Sequence, residues 1–250
     1  MLLKMNKIAE IFQDAIQQEV KPGLYIIATD IGNPADISIR ALALLSKVDL
    51  VICEERRVGD SVLKRYGISK PLELLNEHNE TKQTKILIER LISGNLRAAL
   101  ITDNGTPLFA DPGSKLVNNC HYYKIPVIPV PGASSLMAAL MIAGREKQSF
   151  YFHGFLPANK EDRVMELKEL KLKNDLDILF LETPYRLEPF LRDLLMVLGK
   201  ERQGIIAYKL THPDEQVLCG NLEDLIKMTT ELPKGEFVFV LLAQKKRRSR

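Results

Sequence analysis

AALITDNGTPLFADPG, residues 98–113, is the stretch whose reading decides the fold. Its first four residues are apolar without interruption, the pattern of a parallel strand buried on both faces. Acids, small hydroxyls, glycines and prolines follow at the strand's carboxyl end, where open α/β sheets receive their ligands. Gly105 and Gly113 permit a close approach or a positive φ, and Pro107 and Pro112 stiffen the loop between them. The stretch therefore predicts a parallel α/β sheet with a preformed loop at its edge.

The loop's chemistry narrows what it can hold. It carries Asp103 and Asp111, meets a lysine only at Lys115, and lacks the Gly-Lys-Ser/Thr run of a phosphate cradle. A triphosphate is disfavoured, and a neutral or cationic ligand suits the loop better. S-adenosylmethionine meets that description, with a sulfonium and an ammonium group, a methionine end for backbone groups and an adenine for an apolar wall. The plainer alternative is that both aspartates cap turns by accepting from nearby N–H groups.

Upstream of this loop, Leu24 to Thr29 reads as the first strand and enters DIGNPAD, residues 30–36, a second glycine- and proline-bearing loop on the same sheet edge. Asp36, just before an apolar-periodic run, is expected to cap the next helix. Residues 50–53 form a short strand closed by Glu54-Glu55-Arg56-Arg57, four charges that either line a cleft or face water. A strand at 72–75 leads into Asn76-Glu77-His78-Asn79-Glu80, which opens a helix over 82–93; His78 is a proton acceptor or an ordinary surface residue. Residues 4–20 place Ile8, Ile11, Phe12, Ala15, Ile16 and Val20 at helical spacing, an amphipathic extension for the body or another subunit.

Downstream, a helix over 114–123 and a strand over 127–130 lead to Pro131-Gly132-Ala133-Ser134-Ser135. These small residues open an Ala/Met/Leu-rich helix, with N–H groups available to an adenine or carboxylate, or simply with room for close packing. The alternation then restarts. Strands are expected at 150–154, 178–182, 205–209, 216–218 and 237–243, the later ones in a mixed sheet, with helices to about 172, to Gly199 and over 221–230. The expected plan is an N-terminal helical extension (1–21), an N-terminal α/β domain (22–131), a C-terminal α/β domain (132–244) with a cleft between the two, and a basic tail (245–250).

Composition excludes several classes. With 250 residues, 46% hydrophobic and 27% charged, the chain can bury a substantial core. A net charge of +3, concentrated in the terminal KKRRSR, does not by itself demand a nucleic-acid partner. Cys53, Cys120 and Cys219 lie far apart, give no disulfide framework and predict a reducing cytoplasm. The four histidines show no metal-ligand spacing, so no metal is expected. No apolar run reaches membrane-spanning length.

In order along the chain, GLYIIATDIGNPADISIRAL, the Glu-Glu-Arg-Arg run, NEHNE, TDNGTPLFADPG, PGASS, GFLP, LETPYR and KGEFVFV resemble the tetrapyrrole-methylase-fold family, in its ribosomal RNA small-subunit methyltransferase I branch. The resemblance implies two α/β domains of a class III S-adenosylmethionine-dependent methyltransferase, a homodimer, and 2′-O-methylation of a cytidine in small-subunit ribosomal RNA or the ribosomal particle. It assigns cofactor contact to Ile31, Asp103, Gly105, Thr106, Pro107, Ala110, Asp111, Gly132, Ala133 and Ser134, and to Glu182 and Leu210 from the second lobe. Departures from the branch pattern lie at Asp30, where proline is usual, at Glu55 and Arg56 in place of Asp-Thr, at Thr183 and Tyr185, and at Tyr208, Lys209 and His212. They bear on substrate more than on cofactor.

Methyl transfer from an activated donor needs an acceptor oxygen held in line and a group to take its proton. Asp30, Glu54, Asp103 and Lys209 are the candidate catalytic residues, and Arg56, Arg57 and Arg186 the candidates for RNA phosphates. The alternatives are a precorrin or other tetrapyrrole methyltransferase of the same fold, a diphthamide-pathway methylase, or a non-catalytic RNA-binding relative.

Overall fold

The computed structural model describes residues 2–144 and 149–244, with side chains from residue 7 onward. The basic tail, Lys245 to Arg250, lies outside the described residues. The chain divides into two units, Met1–Ser134 and Ser135–Arg250.

The first unit runs α1 (Leu2–Gln17), β1 (Gly23–Ile27), a 3-10 turn (Pro34–Asp36), α2 (Ile39–Leu45), β2 (Leu50–Cys53), α3 (Arg56–Arg65), β3 (Leu72–Leu74), α4 (Glu80–Ser93), β4 (Arg97–Leu100), α5 (Ser114–Tyr122) and β5 (Val127–Val130). Its strands form one parallel sheet in the order β3-β2-β4-β1-β5. Successive side chains point to opposite faces, and both faces are covered. Tyr25, Ile27, Val51 and Ala99 pack against Ala41 and Leu45 of α2 and Val62 and Leu63 of α3. Leu24, Leu50, Ile52, Ala98 and Leu100 pack against Leu87 and Leu91 of α4 and Leu116 of α5. Double burial is why these strands read as unbroken apolar runs.

β1 and β4 are neighbours, with Leu24 opposite Ala98. The chain leaves β1 toward α2 on one face and β4 toward α5 on the other, which defines a switch point where their carboxyl-end loops diverge.

One expected cap is corrected. Asp36 does not cap α2; it ends the 3-10 turn, which Asn33 opens by accepting from Ala35 N at 3.0 Å. Pro34 starts that turn, Ile37 is extended, and the cap passes to Ser38, whose hydroxyl accepts from Ala41 N at 3.1 Å. Helix α1 stops at Gln17, three residues before the apolar spacing ends, and packs on α2 while Ile8, Ile11 and Ile16 stay exposed.

The second unit runs α6 (Ser135–Ala143), β6 (Phe150–Gly154), α7 (Lys160–Leu170), β7 (Asp177–Glu182), α8 (Leu187–Leu198), β8 (Gln203–Tyr208), β9 (Gln216–Asn221), α9 (Leu222–Thr229) and β10 (Phe237–Leu241). The sheet order is β6-β7-β10-β8-β9, with β6 and β7 parallel and the other pairs antiparallel. Phe180, Phe190 and Phe239 centre its core, with Phe190 in edge-to-face contact at 5.6 and 5.2 Å from the other two. Helix α6 packs against β10. Among the described residues no helix is long and apolar enough to cross a membrane.

Candidate functional site

Three loops meet at the carboxyl edge of the first sheet, following β1, β4 and β5. Thr29 N donates to Gly105 O at 2.9 Å, and Gly105 N donates back to Asp30 O at 2.9 Å and lies 3.1 Å from the Thr29 hydroxyl. The Thr106 hydroxyl donates to Ala133 O at 2.9 Å. Gly105 has φ +81°, and a Cβ there would lie 2.6 Å from Ile31 Cγ2 and 3.3 Å from Ala133 O. Only glycine fits the junction. A Cβ on Gly132 would come within 2.9 Å of Ala28 Cβ. Ile31, Gly105, Thr106, Gly132 and Ala133, drawn from three separate loops, therefore form one floor. Pro107 is buried beside it, Ser134 and Asp111 are half-buried, and Asp103 and Ala110 are exposed. Leu108 sits at φ +77°, a conformation costly for a branched side chain, with that side chain anchored in the core beneath α4 and α5.

The electrostatics separate the four catalytic candidates. Glu54 stands exposed just past β2, and its carboxyl pKa is raised by partial desolvation and then by the neighbouring charges of Asp103, Asp111, Glu77 and Glu55. Burial with the Asp103 charge pushes the adjacent Cys53 thiol up to about 11, keeping it protonated. Asp30 is buried and its carboxylate is fully occupied: Arg65 Nη1 donates at 2.8 and 2.9 Å, the Tyr66 hydroxyl at 2.7 Å and Gly32 N at 3.1 Å. Burial opposes its charge, but these donors outweigh it and hold the carboxyl below the usual aspartate range. Asp30 thus ties the first loop to the end of α3. Asp103 lies in the acidic patch, where it bears on Glu54 and Cys53.

Lys209 belongs to the second unit. It follows β8 at φ +45° and is hydrogen-bonded to Asp214, which raises its pKa and keeps it a cation. Leu210 beside it is buried. Glu182, at the end of β7, is buried with its Oε1 accepting from Thr183 N and Arg186 Nε, both at 2.7 Å. Arg186 pairs with that carboxylate through a second nitrogen, which also donates to Leu156 O at 2.8 Å. Its guanidinium is committed within the protein. Arg56 and Arg57 are both exposed in the first turn of α3, and Arg56 reaches Leu72 O at 3.0 Å. Cations at a helix N-terminus oppose its dipole, a placement that an anionic partner would offset.

The sequence reading assigns no role to several residues that hold this arrangement. Arg65 and Tyr66 fix Asp30, Thr29 seats Gly105, and Glu80 reaches the far end of the acidic loop. Among the described residues no group of three or more histidines, cysteines or acids could hold a metal ion.

The residues fit a cationic methyl donor. The charges of Asp103 and Asp111 raise the proton affinity of Glu54 just past β2, a repulsion that a positive ligand relieves, and the glycine floor is a surface that any Cβ would fill. At the switch point of a doubly wound parallel sheet such a loop is placed to hold a small ligand, and a mixed-sheet unit follows it in the sequence.

The family model for Tetrapyrrole (Corrin/Porphyrin) Methylases matches residues 23–226. The chain is 39% identical over 221 residues to the ribosomal RNA small subunit methyltransferase I of Pasteurella multocida, covering 87% of this chain and 78% of that one. It is 40% identical over 221 residues to the protein of the same name from Mesorhizobium japonicum, covering 88% and 74%. Among solved structures, diphthine synthase superposes with a TM-score of 0.69 at 19% identity, covering 89% of this chain and 90% of that one. Uroporphyrin-III-C-methyltransferase from Thermus thermophilus superposes with a TM-score of 0.58 at 19% identity, covering 88% and 94%. These two show the shared fold. The chain belongs to the Tetrapyrrole (Corrin/Porphyrin) Methylases and, with them, is an S-adenosylmethionine-dependent methyltransferase.

Proposed function

We propose that this methyltransferase modifies the ribose 2′-oxygen of a cytidine in small-subunit ribosomal RNA, acting in the cytoplasm as a homodimer. Relatives named ribosomal RNA small subunit methyltransferase I, matched over most of the chain, support the substrate, and the resemblance of its ordered motifs supports the nucleotide. The single observation that carries the mechanism is the exposed position of Glu54, directly after β2 and within the charge field of Asp103 and Asp111 in the acidic loop.

S-adenosylmethionine, when bound, supplies an electrophilic methyl group on a positive sulfur. Asp103 and Asp111, the backbone of Gly105, Thr106, Pro107 and Ala110, and the facing Ile31, Gly132, Ala133 and Ser134 hold it. Glu182 and Leu210 enter this proposal through the sequence resemblance alone. Glu54 is placed to take the proton of the 2′-hydroxyl as the oxygen's bond to the methyl carbon forms, the carbon–sulfur bond breaking so that S-adenosylhomocysteine would leave as the neutral thioether. Asp30 holds the first loop and Lys209 remains a cation, so neither accepts that proton. Arg56 and Arg57 contact phosphate, while Arg186 secures the loop after β6.

The test is methylation with tritiated S-adenosylmethionine on small ribosomal subunits lacking the modification, on deproteinised ribosomal RNA and on a precorrin, followed by nuclease digestion and mass spectrometry. The expected product is 2′-O-methylcytidine from a ribosomal substrate. Label on the macrocycle, or on a base in place of a ribose, contradicts the proposal.

A further inference from the structure

The NEHNE segment is absorbed by none of the roles above. Asn76 and Asn79 close on each other, Asn79 Oδ1 accepting from Asn76 N at 2.8 Å and Asn76 Oδ1 from Asn79 N at 3.1 Å, while Asn79 Nδ2 donates to Leu74 O at 3.0 Å. This reciprocal turn leaves His78 and Glu77 exposed and sets Glu80 at the first position of α4 with its side chain directed inward. Glu80 Oε1 accepts from Gly113 N at 2.9 Å and lies 3.3 Å from Lys115 N, and Oε2 lies 3.3 Å from Lys115 Nζ. Lys115 Nζ also reaches the Thr81 hydroxyl at 3.1 Å.

Those two amides belong to the start of α5, whose own cap position is Gly113 at φ +124° and supplies no side chain. A helix start normally takes its acceptor from the residue preceding it. Here the acceptor comes from another helix, 33 residues away, and the site it caps is the end of the acidic loop. Burial works against the Glu80 charge, but the Gly113 and Lys115 amides and the Lys115 ammonium outweigh it and hold the carboxyl below its ordinary value. The loop between Thr102 and Gly113 is thus held at both ends: Gly105 by Thr29 and Asp30 just past β1, Gly113 by Glu80. Between these ends Leu108 keeps a conformation that a released loop would abandon.

We infer that Glu80 is a positioning residue for the methyl donor, fixing the acidic loop in its binding-competent form from a helix outside that loop. The inference rests on the reading that residues 103–111 hold S-adenosylmethionine. A ligand's affinity falls by the fraction of protein in the competent form, so releasing the clamp weakens binding even though every contacting residue is retained.

The test uses the full chain and its Glu80→Gln and Glu80→Ala variants. Isothermal titration measures S-adenosylhomocysteine affinity, and hydrogen exchange measures the Gly113 and Lys115 amides without ligand. Glu80→Ala is expected to weaken binding about tenfold or more, the scale of a lost charge-assisted hydrogen bond, and to expose both amides to exchange. Glu80→Gln keeps one acceptor and is expected to recover part of both effects. Unchanged affinity in folded variants, or a lowered melting temperature with both amides still protected, overturns the inference. Failure of the wild-type protein to bind S-adenosylhomocysteine would instead overturn the assignment of the loop, while amide exchange would still report on the clamp.

Discussion

The two units secure their loops by opposite means. At the edge of the first sheet the junction is made of backbone bonds around Gly105, and acids at Glu54, Asp103 and Asp111 remain at or near the surface. In the second unit the loop after β6 is held by charge: Arg163 is buried with Asp193 at 2.7 Å and donates to the carbonyls of Pro157 and Ala158, and Arg186 joins Glu182 to Leu156 O. The lesson is that a loop tightened by glycine and main-chain bonds leaves its ionisable groups for chemistry, whereas one tightened by ion pairs uses them up. Asp30 and Glu80 are the exceptions in the first unit, since their carboxylates serve structure.

Substitutions in each unit should therefore fail differently. Glu54→Gln removes the proton acceptor while keeping size, and kcat should drop by roughly 10²- to 10⁴-fold with S-adenosylhomocysteine affinity and melting temperature nearly unchanged. Single-turnover methylation beside calorimetry checks it, and a wild-type rate removes Glu54 from the chemistry. Asp193→Ala, in contrast, strands a buried guanidinium and should lower stability by about 3–5 kcal/mol, read by urea unfolding. A loss below 1 kcal/mol would mean that the pair does not hold the second unit's loop.

The smallest effect concerns Asp30 and pH. Its folded carboxyl lies below the ordinary value of 3.8, so the ionised form stabilises the fold above that value, and the contribution fades as pH falls through the folded pKa. Wild type should exceed Asp30→Asn by about 1 kcal/mol near pH 6, discounted because Arg65 is part-exposed, and the gap should close toward pH 2. A gap that persists in acid would show that packing, and not charge, holds the first loop.

The alternation of apolar runs with loops and helices was readable because double burial writes itself into sequence as Leu50-Val51-Ile52 or Ala98-Ala99-Leu100. The glycine-proline loop after β4 was readable for the same reason: few residues tolerate that backbone. Ties between distant positions leave no such trace. Asp30 and Arg65 lie 35 residues apart, and Glu80 and Gly113 lie 33 apart, so neither pair has a periodicity to betray it. Asp36 misled because its distance from the apolar run suited a cap, while Pro34 had already drawn it into a turn. Arg186 is expected at an RNA phosphate, and its i, i+4 partner Glu182 is equally present in the sequence.

The central claim is that the acidic loop of the first unit holds the positive methyl donor. Isothermal titration of S-adenosylhomocysteine, with S-adenosylmethionine alongside, into wild type and Asp103→Ala tests it most directly. The account predicts that binding is lost in Asp103→Ala while its melting temperature stays near that of wild type; equal affinity in the two proteins would contradict it.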